Sequence, residues 1–202
     1  MEIPFKKIEN NYEGFDSSIY NKFFKKHAPK MWNRISSDFK NGKPFNYFFL
    51  GGVGVGKTYT TKVIQKLFID NANIKFEFMN VRHYYRRNYL DLINSSYSDR
   101  YESIRSNELS ITQAKYLIID DLGNERPSTD AAHDYIGTLI IDRYEYYLKH
   151  PTTCTIITSN LTQDEMIRWY GSRIVDRMEE MCVIMKFNNK SFRRQQREII
   201  EG

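Results

Sequence analysis

The sequence holds only two cysteines, Cys154 and Cys182, and no CxxC pair. No Cys/His pairing follows metal-ligand spacing, so neither a disulfide scaffold nor a zinc module is supported. The four histidines, His27, His83, His133 and His150, are scattered in the same way. No run approaches the roughly 20 apolar residues that a membrane helix needs. Met1-Glu2-Ile3-Pro4-Phe5-Lys6-Lys7 lacks the apolar stretch of a secretory signal. No internal repeat, low-complexity tract or Pro/Gly/Ser linker divides the chain. These absences lead to the expectation of a cytoplasmic protein with reduced thiols, no membrane partner, and essentially one domain.

What is present is ordinary globular composition with an aromatic excess. The 202 residues are 41% hydrophobic and 27% charged, which argues against wholesale disorder. Fifteen Tyr and thirteen Phe require that many rings fill the core. The formal net charge of +5 permits a nucleic-acid partner without requiring one.

Residues 1–44 read as an N-terminal helical extension, with Ile19, Phe23, Phe24, Ala28, Met31, Trp32 and Ile35 at helical spacing. Asn41-Gly42-Lys43-Pro44 is a turn signal. Beyond it, residues 45–202 alternate between apolar runs and amphipathic stretches. Strands are expected at Phe45–Leu50, Ile74–Phe78, Tyr116–Ile119, Thr153–Thr158 and Val183–Phe187. Helices are expected at Lys57–Asp70, through residues 81–113 with breaks near Ser95–Ser98 and Ser106-Asn107, at Thr129–Lys149 and at Asp164–Met181. Such alternation implies an α/β domain with a largely parallel sheet, whose ligands bind at the carboxyl ends of the strands.

The chemistry-bearing motifs fall at those ends. Gly51-Gly52-Val53-Gly54-Val55-Gly56-Lys57-Thr58 fits G-x-x-x-x-G-K-[ST] in full, with an apolar strand before it and a helical pattern after it. Glycines let backbone N–H groups close around phosphate oxygens, and the helix start favours an anion. Lys57 reaches the β/γ-phosphates, Thr58 offers its hydroxyl to Mg²⁺, and Tyr59, next in the chain, is expected among the nucleotide-binding residues. Tyr116-Leu117-Ile118-Ile119-Asp120-Asp121 ends a strand in two carboxylates. Asp120 then holds Mg²⁺, directly or through water, and Asp121 is placed to orient or deprotonate the attacking water.

Later elements admit two readings each. Asn160 either holds the lytic water or caps the helix that starts near Thr162. Arg173 and Arg177 lie four apart on one helix face. They are either surface arginines paired with Asp176 and Glu179, or an arginine finger for a neighbouring subunit. A guanidinium in Ser191-Phe192-Arg193-Arg194 either touches the γ-phosphate or sits in solvent. The tract Arg82-His83-Tyr84-Tyr85-Arg86-Arg87-Asn88-Tyr89 interleaves basic and aromatic residues. It suits single-stranded nucleic acid through Arg82, Arg86, Arg87 and Tyr89, or is a solvated helix with Tyr packed inward.

The ordered set resembles an AAA+ ATPase, more narrowly the DnaC/IstB group of helicase loaders and transposition helper ATPases. The resemblance covers residues 45–195 and rests on several runs in the family's order. They are Gly51–Thr58, Ile118-Ile119-Asp120-Asp121-Leu122-Gly123, Glu125-Arg126-Pro127, Arg143-Tyr144, Ile157-Thr158-Ser159-Asn160-Leu161, Gly171-Ser172-Arg173 with Asp176-Arg177, and Ser191-Phe192-Arg193.

It implies a P-loop NTPase fold of AAA+ type, with a five-stranded parallel sheet flanked by helices and no C-terminal lid domain. It implies roles residue by residue: Lys57 and Thr58 as Walker A, Asp120 and Asp121 as Walker B, Asn160 as sensor 1, Arg177 with Arg173 as second candidate for the finger, and Arg193 as sensor 2. Most of the wider family has Glu where Asp121 stands, which implies slow hydrolysis. The implied function is an ATP- and Mg²⁺-dependent helicase loader that binds single-stranded DNA, a replicative helicase and further copies of itself. A transposition helper on duplex DNA, a small-molecule P-loop kinase and a non-hydrolysing nucleotide switch are the alternatives.

Overall fold

A computed structural model describes residues 28–72, 74–94, 99–125, 129–188 and 191 of the chain, with side chains described outside 70–72, 88–94 and 99–105. In chain order the elements are α1 (Pro29–Lys40), β1 (Asn46–Gly51), α2 (Lys57–Ala72), β2 (Glu77–Asn80), α3 (Val81–Asn94), α4 (Asp99–Thr112), β3 (Tyr116–Leu122), α5 (Asp130–Lys149), β4 (Cys154–Ser159), α6 (Gln163–Tyr170), α7 (Ser172–Met181) and β5 (Val183–Phe187).

The five strands form one sheet in the order β2-β3-β4-β1-β5, with every pair parallel. The expected fold is the one observed, and no lid domain is present among the described residues. Both sheet faces are covered, as an all-parallel sheet requires. Side chains that alternate along each strand supply two separate cores. Phe48, Leu117, Ile119 and Ile157 point to one face, where Tyr85, Ile136, Ile140, Met166 and Met178 cover them. Tyr47, Phe49, Ile118 and Ile156 point to the other, under Ile35, Ile64 and Phe68. This second core absorbs much of the aromatic excess. Phe68 meets the Phe45 ring at 5.0 Å and the Phe76 ring at 5.4 Å. Each fully buried ring or branched chain contributes about 1.5–3 kcal/mol.

Helix α1 is docked rather than free. Trp32 and Ile35 are buried, and Asp38 accepts hydrogen bonds from Tyr47 Oη and Arg34 Nε, both at 2.7 Å. The rest of the expected N-terminal helix, residues 17–27, lies outside the described residues.

Three boundaries differ from expectation. The second strand begins at Glu77, because Ile74 and Phe76 leave the sheet to pack on the aromatic core. The expected break at Ser106-Asn107 is absent, and α4 runs through it. The single helix expected at Asp164–Met181 is two, divided by Gly171 at φ +81°. Both cysteines are free and buried. Among the described residues, no helix is long and apolar enough to cross a membrane.

Candidate nucleotide-binding site

Sheet order decides which strand ends meet. Strands β3, β4 and β1 are neighbours, so their carboxyl ends lie side by side. Those ends carry Asp120 and Asp121, Asn160, and the glycine-rich loop.

The loop leaves β1 at Gly51 and enters α2 at Lys57. Gly54 and Gly56 adopt φ +80° and +101°, conformations that L side chains resist. Val55 anchors the loop in the second core, while Val53 at the tip is 65% exposed. Lys57 is buried and turned back over the loop. Its Nζ donates to Gly51 O at 2.6 Å, Gly52 O at 2.9 Å and Asn160 Oδ1 at 2.6 Å. Tyr59 points elsewhere, onto the Trp32–Val63 cluster beneath α1.

Asp120 is 3% exposed and accepts from Thr58 Oγ1 at 2.9 Å and Thr158 Oγ1 at 2.8 Å. The Asn80 side chain, in register with it on the adjacent strand, also favours its charged form. Burial nevertheless pushes its pKa above the ordinary carboxylate value, against those hydrogen bonds. Asp121 is the one non-glycine residue with positive φ among those described, at +66°. Its N–H donates to Thr158 Oγ1 at 2.9 Å, and its two carboxylate oxygens accept from Asn160 Nδ2 and Asn124 Nδ2, each at 3.0 Å. Asn160 therefore bridges Lys57 and Asp121. It is free to do so because Thr162, with Glu165, closes the capping box of α6.

The structure thus brings Lys57, Thr58, Asp120, Asp121 and Asn160 into one hydrogen-bonded set. Three further residues support this set and carry no assigned role in the sequence: Asn80, Asn124 and Thr158. Asn80 is in register with Asp120 at the end of the adjacent strand, a pairing that only the sheet order reveals. Thr158 was quoted as strand, and its place two residues before Asn160 was the available signal.

Arg173 and Arg177 lie on α7 and, among the described residues, join none of these hydrogen bonds. Arg173 is exposed. Arg177 is half-buried, its guanidinium 5.2 Å from the centre of the Tyr144 ring. The partners considered for them are otherwise engaged in part: Glu179 accepts from Gln163 and the neighbouring Glu180 from Tyr144. Arg82, Arg86 and Arg87 are exposed on α3, whereas Tyr85 is fully buried and Tyr84 partly so. The Tyr89 side chain, Arg126, Pro127, Phe192, Arg193 and Arg194 lie outside the described residues.

Just past the second acid, Glu125 is 1% exposed and accepts a hydrogen bond from Tyr170 Oη. Burial raises the pKa of both groups. In the sequence Glu125 counts only as part of the resemblance run Glu125-Arg126-Pro127, and Tyr170 carries no role.

A parallel sheet in this order, with a phosphate loop after β1, acids after β3 and a polar amide after β4, defines a P-loop NTPase of AAA+ type. The family model of the IstB-like ATP binding protein matches residues 20–199, and the chain belongs to that family. No curated protein matches the sequence. Among solved structures, the DnaC helicase loader is similar at TM-score 0.63 and 20% identity, over 81% of this chain and 91% of that one. AMPPCP-bound DnaA from Aquifex aeolicus is similar at 0.60 and 14%, over 83% of this chain but 49% of that one. Domain III of the Thermotoga maritima replication initiation protein DnaA gives 0.55 and 14%, over 81% and 63%. This chain therefore spans about half of the Aquifex DnaA structure.

Proposed function

We propose that this chain is an ATP hydrolase that loads a replicative helicase, with residues 45–202 as its ATPase core and residues 1–44 as an extension. The observation that supports hydrolysis is the convergence of Lys57, Thr58, Asp120, Asp121 and Asn160 at three adjacent strand ends. ATP phosphates sit in the Gly51–Thr58 loop. Lys57 exchanges its loop carbonyls and Asn160 for phosphate oxygens, which releases the Asn160 amide. Asp121 and Asn160 then hold the attacking water, and Asp121 takes its proton.

The donor set fits Mg²⁺. A hydroxyl and a carboxylate oxygen, Thr58 Oγ1 and Asp120 Oδ1, lie 2.9 Å apart, and hard oxygen donors with phosphates and waters are what that ion takes. When bound, it would neutralise charge on the phosphates. The arginine finger is Arg177, with Arg173 as second candidate, supplied by the next protomer, and Arg193 reads the γ-phosphate.

Helicase loading rests on the similarity to the DnaC helicase loader, which extends over nearly all of that chain. Single-stranded DNA would lie along Arg82, Arg86, Arg87 and Tyr89, because α3 turns its arginines outward and Tyr85 inward. A transposition helper acting on duplex DNA is the second reading, favoured by the IstB-like family match itself.

Anisotropy of labelled single-stranded and duplex DNA, with and without ATP at fixed salt, separates the two. ATP-dependent preference for the single strand is expected. ATP-dependent coating of the duplex would establish the second reading. Lys57→Ala should lose nucleotide binding or turnover, and unchanged ATPase activity would refute the phosphate-loop assignment.

A further inference from the structure

Glu125 is a buried carboxylate placed where an apolar residue would cost less. Oε1 is bonded to Tyr170 Oη, and Oε2 has no hydrogen-bond partner among the described residues. The backbone of Gly123 and of Glu125 itself also favours the charge, yet burial outweighs these, and a buried carboxylate with one oxygen unpaired is a poor stabiliser compared with an apolar pair of the same shape. Its connections supply a better reason.

On one side lies Asp121. The turn after it is closed by Asn124 N–H to Asp121 O at 3.0 Å and by Asn124 Nδ2 to Asp121 Oδ2 at 3.0 Å. Glu125 is the next residue. On the other side lies α6. Its last residue is Tyr170, and its N-cap is Thr162, two residues beyond Asn160. Asn160 in turn is bonded to Asp121 at 3.0 Å. Both ends of this short helix are therefore tied to the Asp121 turn, one through Asn160 and one through Glu125. Gly171 directly follows Tyr170 and is also the N-cap of α7, which carries Arg173 and Arg177.

We propose that the Glu125–Tyr170 bond couples the Asp121–Asn160 pair to α7, so that the nucleotide in one subunit sets the position of the arginines that subunit offers to its neighbour. A change at Asn160 on phosphate binding moves the start of α6. The bond at its far end makes the helix follow as a rigid body rather than pivot. Both are positioning residues, and the inference rests on the proposed function of Arg177 and Arg173 in trans.

The test is steady-state ATPase kinetics of the oligomeric protein, with single-subunit affinity read from a fluorescent ATP analogue. Wild type is expected to show sigmoidal ATP dependence. Tyr170→Phe removes one oxygen. It should make the dependence hyperbolic and lower kcat about tenfold to a hundredfold, as small misplacements do, with analogue affinity unchanged. Glu125→Met with Tyr170→Phe should match or exceed wild type in Tm while showing the same kinetic loss. Such an outcome separates coupling from support of the fold.

Unchanged kinetics in Tyr170→Phe, a hyperbolic wild type, or loss of analogue binding in Tyr170→Phe would each overturn the coupling. If Arg177→Ala and Arg173→Ala both leave wild-type turnover intact, the reading of the arginines fails first, and the coupling with it.

Discussion

Asp120 and Asp121 are adjacent in the chain and differ in almost every physical respect. Asp120 is buried, accepts from two hydroxyls, and is held above the usual carboxylate pKa by desolvation. A carboxyl raised in this way binds its proton more readily when folded. Its stabilising contribution is complete below the unfolded value near 3.8 and is lost as pH rises through the folded value. At neutral pH the ionised group burdens the ligand-free fold. Asp120→Asn should therefore raise Tm by about 2–4 °C and abolish the Mg²⁺ dependence of ATP affinity; a lower Tm would contradict this account. Asp121 is half-buried, strained at φ +66° and held by two side-chain amides. Asp121→Asn should cut turnover by about 10²–10⁴-fold while leaving ATP affinity within a few-fold. Equal losses in both would mean that the residue only shapes the loop.

At the level of elements, Arg143 explains how the sheet and its helices hold register. Its guanidinium has no exposure, and burial lowers its pKa to about 10, so it remains a cation. It donates to Thr155 Oγ1, Thr112 O, Ala114 O and Cys154 O, joining α5 to the end of α4 and the starts of β3 and β4. A lysine ammonium cannot reproduce that planar fork. Arg143→Lys should cost about 2–3 kcal/mol in urea unfolding through unsatisfied buried carbonyls, with kcat of the folded fraction unchanged. Arg143 is legible only as part of the family resemblance, because its partners come from two segments remote from it in the chain, residues 112–114 and 154–155. The α6–α7 division was missed for a related reason. A lone glycine in a helical pattern reads as tolerated, and only Gly171's positive φ turns it into a joint.

For the whole molecule, the proposed role of Arg177 in a neighbouring subunit predicts concerted action between copies. Arg173 and Arg177 stand on a different element from the phosphate loop and share none of its hydrogen bonds among the described residues. ATPase rate per subunit should rise with protein concentration and then plateau, and Arg177→Ala should lower the plateau by about 10³-fold or more. A rate independent of concentration would exclude a finger in trans. The proposed DNA surface on α3 rests on its exposed arginines. Charge reversal of Arg82 and Arg86 together should weaken DNA binding and flatten its salt dependence.

The sequence by itself determined the strand–helix alternation, the phosphate loop, the two acids and the polar residue after the fourth strand. Each of these is local: short continuous apolar runs make buried strands, and glycines near a Lys-Thr make an anion-binding turn whatever lies elsewhere. Only the tertiary structure decided that Asn160 bridges Lys57 and Asp121, that Asn80 and Thr158 hold Asp120, and that Glu125 meets Tyr170. Those pairings depend on the strand order β2-β3-β4-β1-β5, which sets segments far apart in the chain side by side. A hydrogen bond across 45 residues, such as that of Glu125, leaves no mark in local periodicity, because its energy belongs to the packing and not to either segment alone.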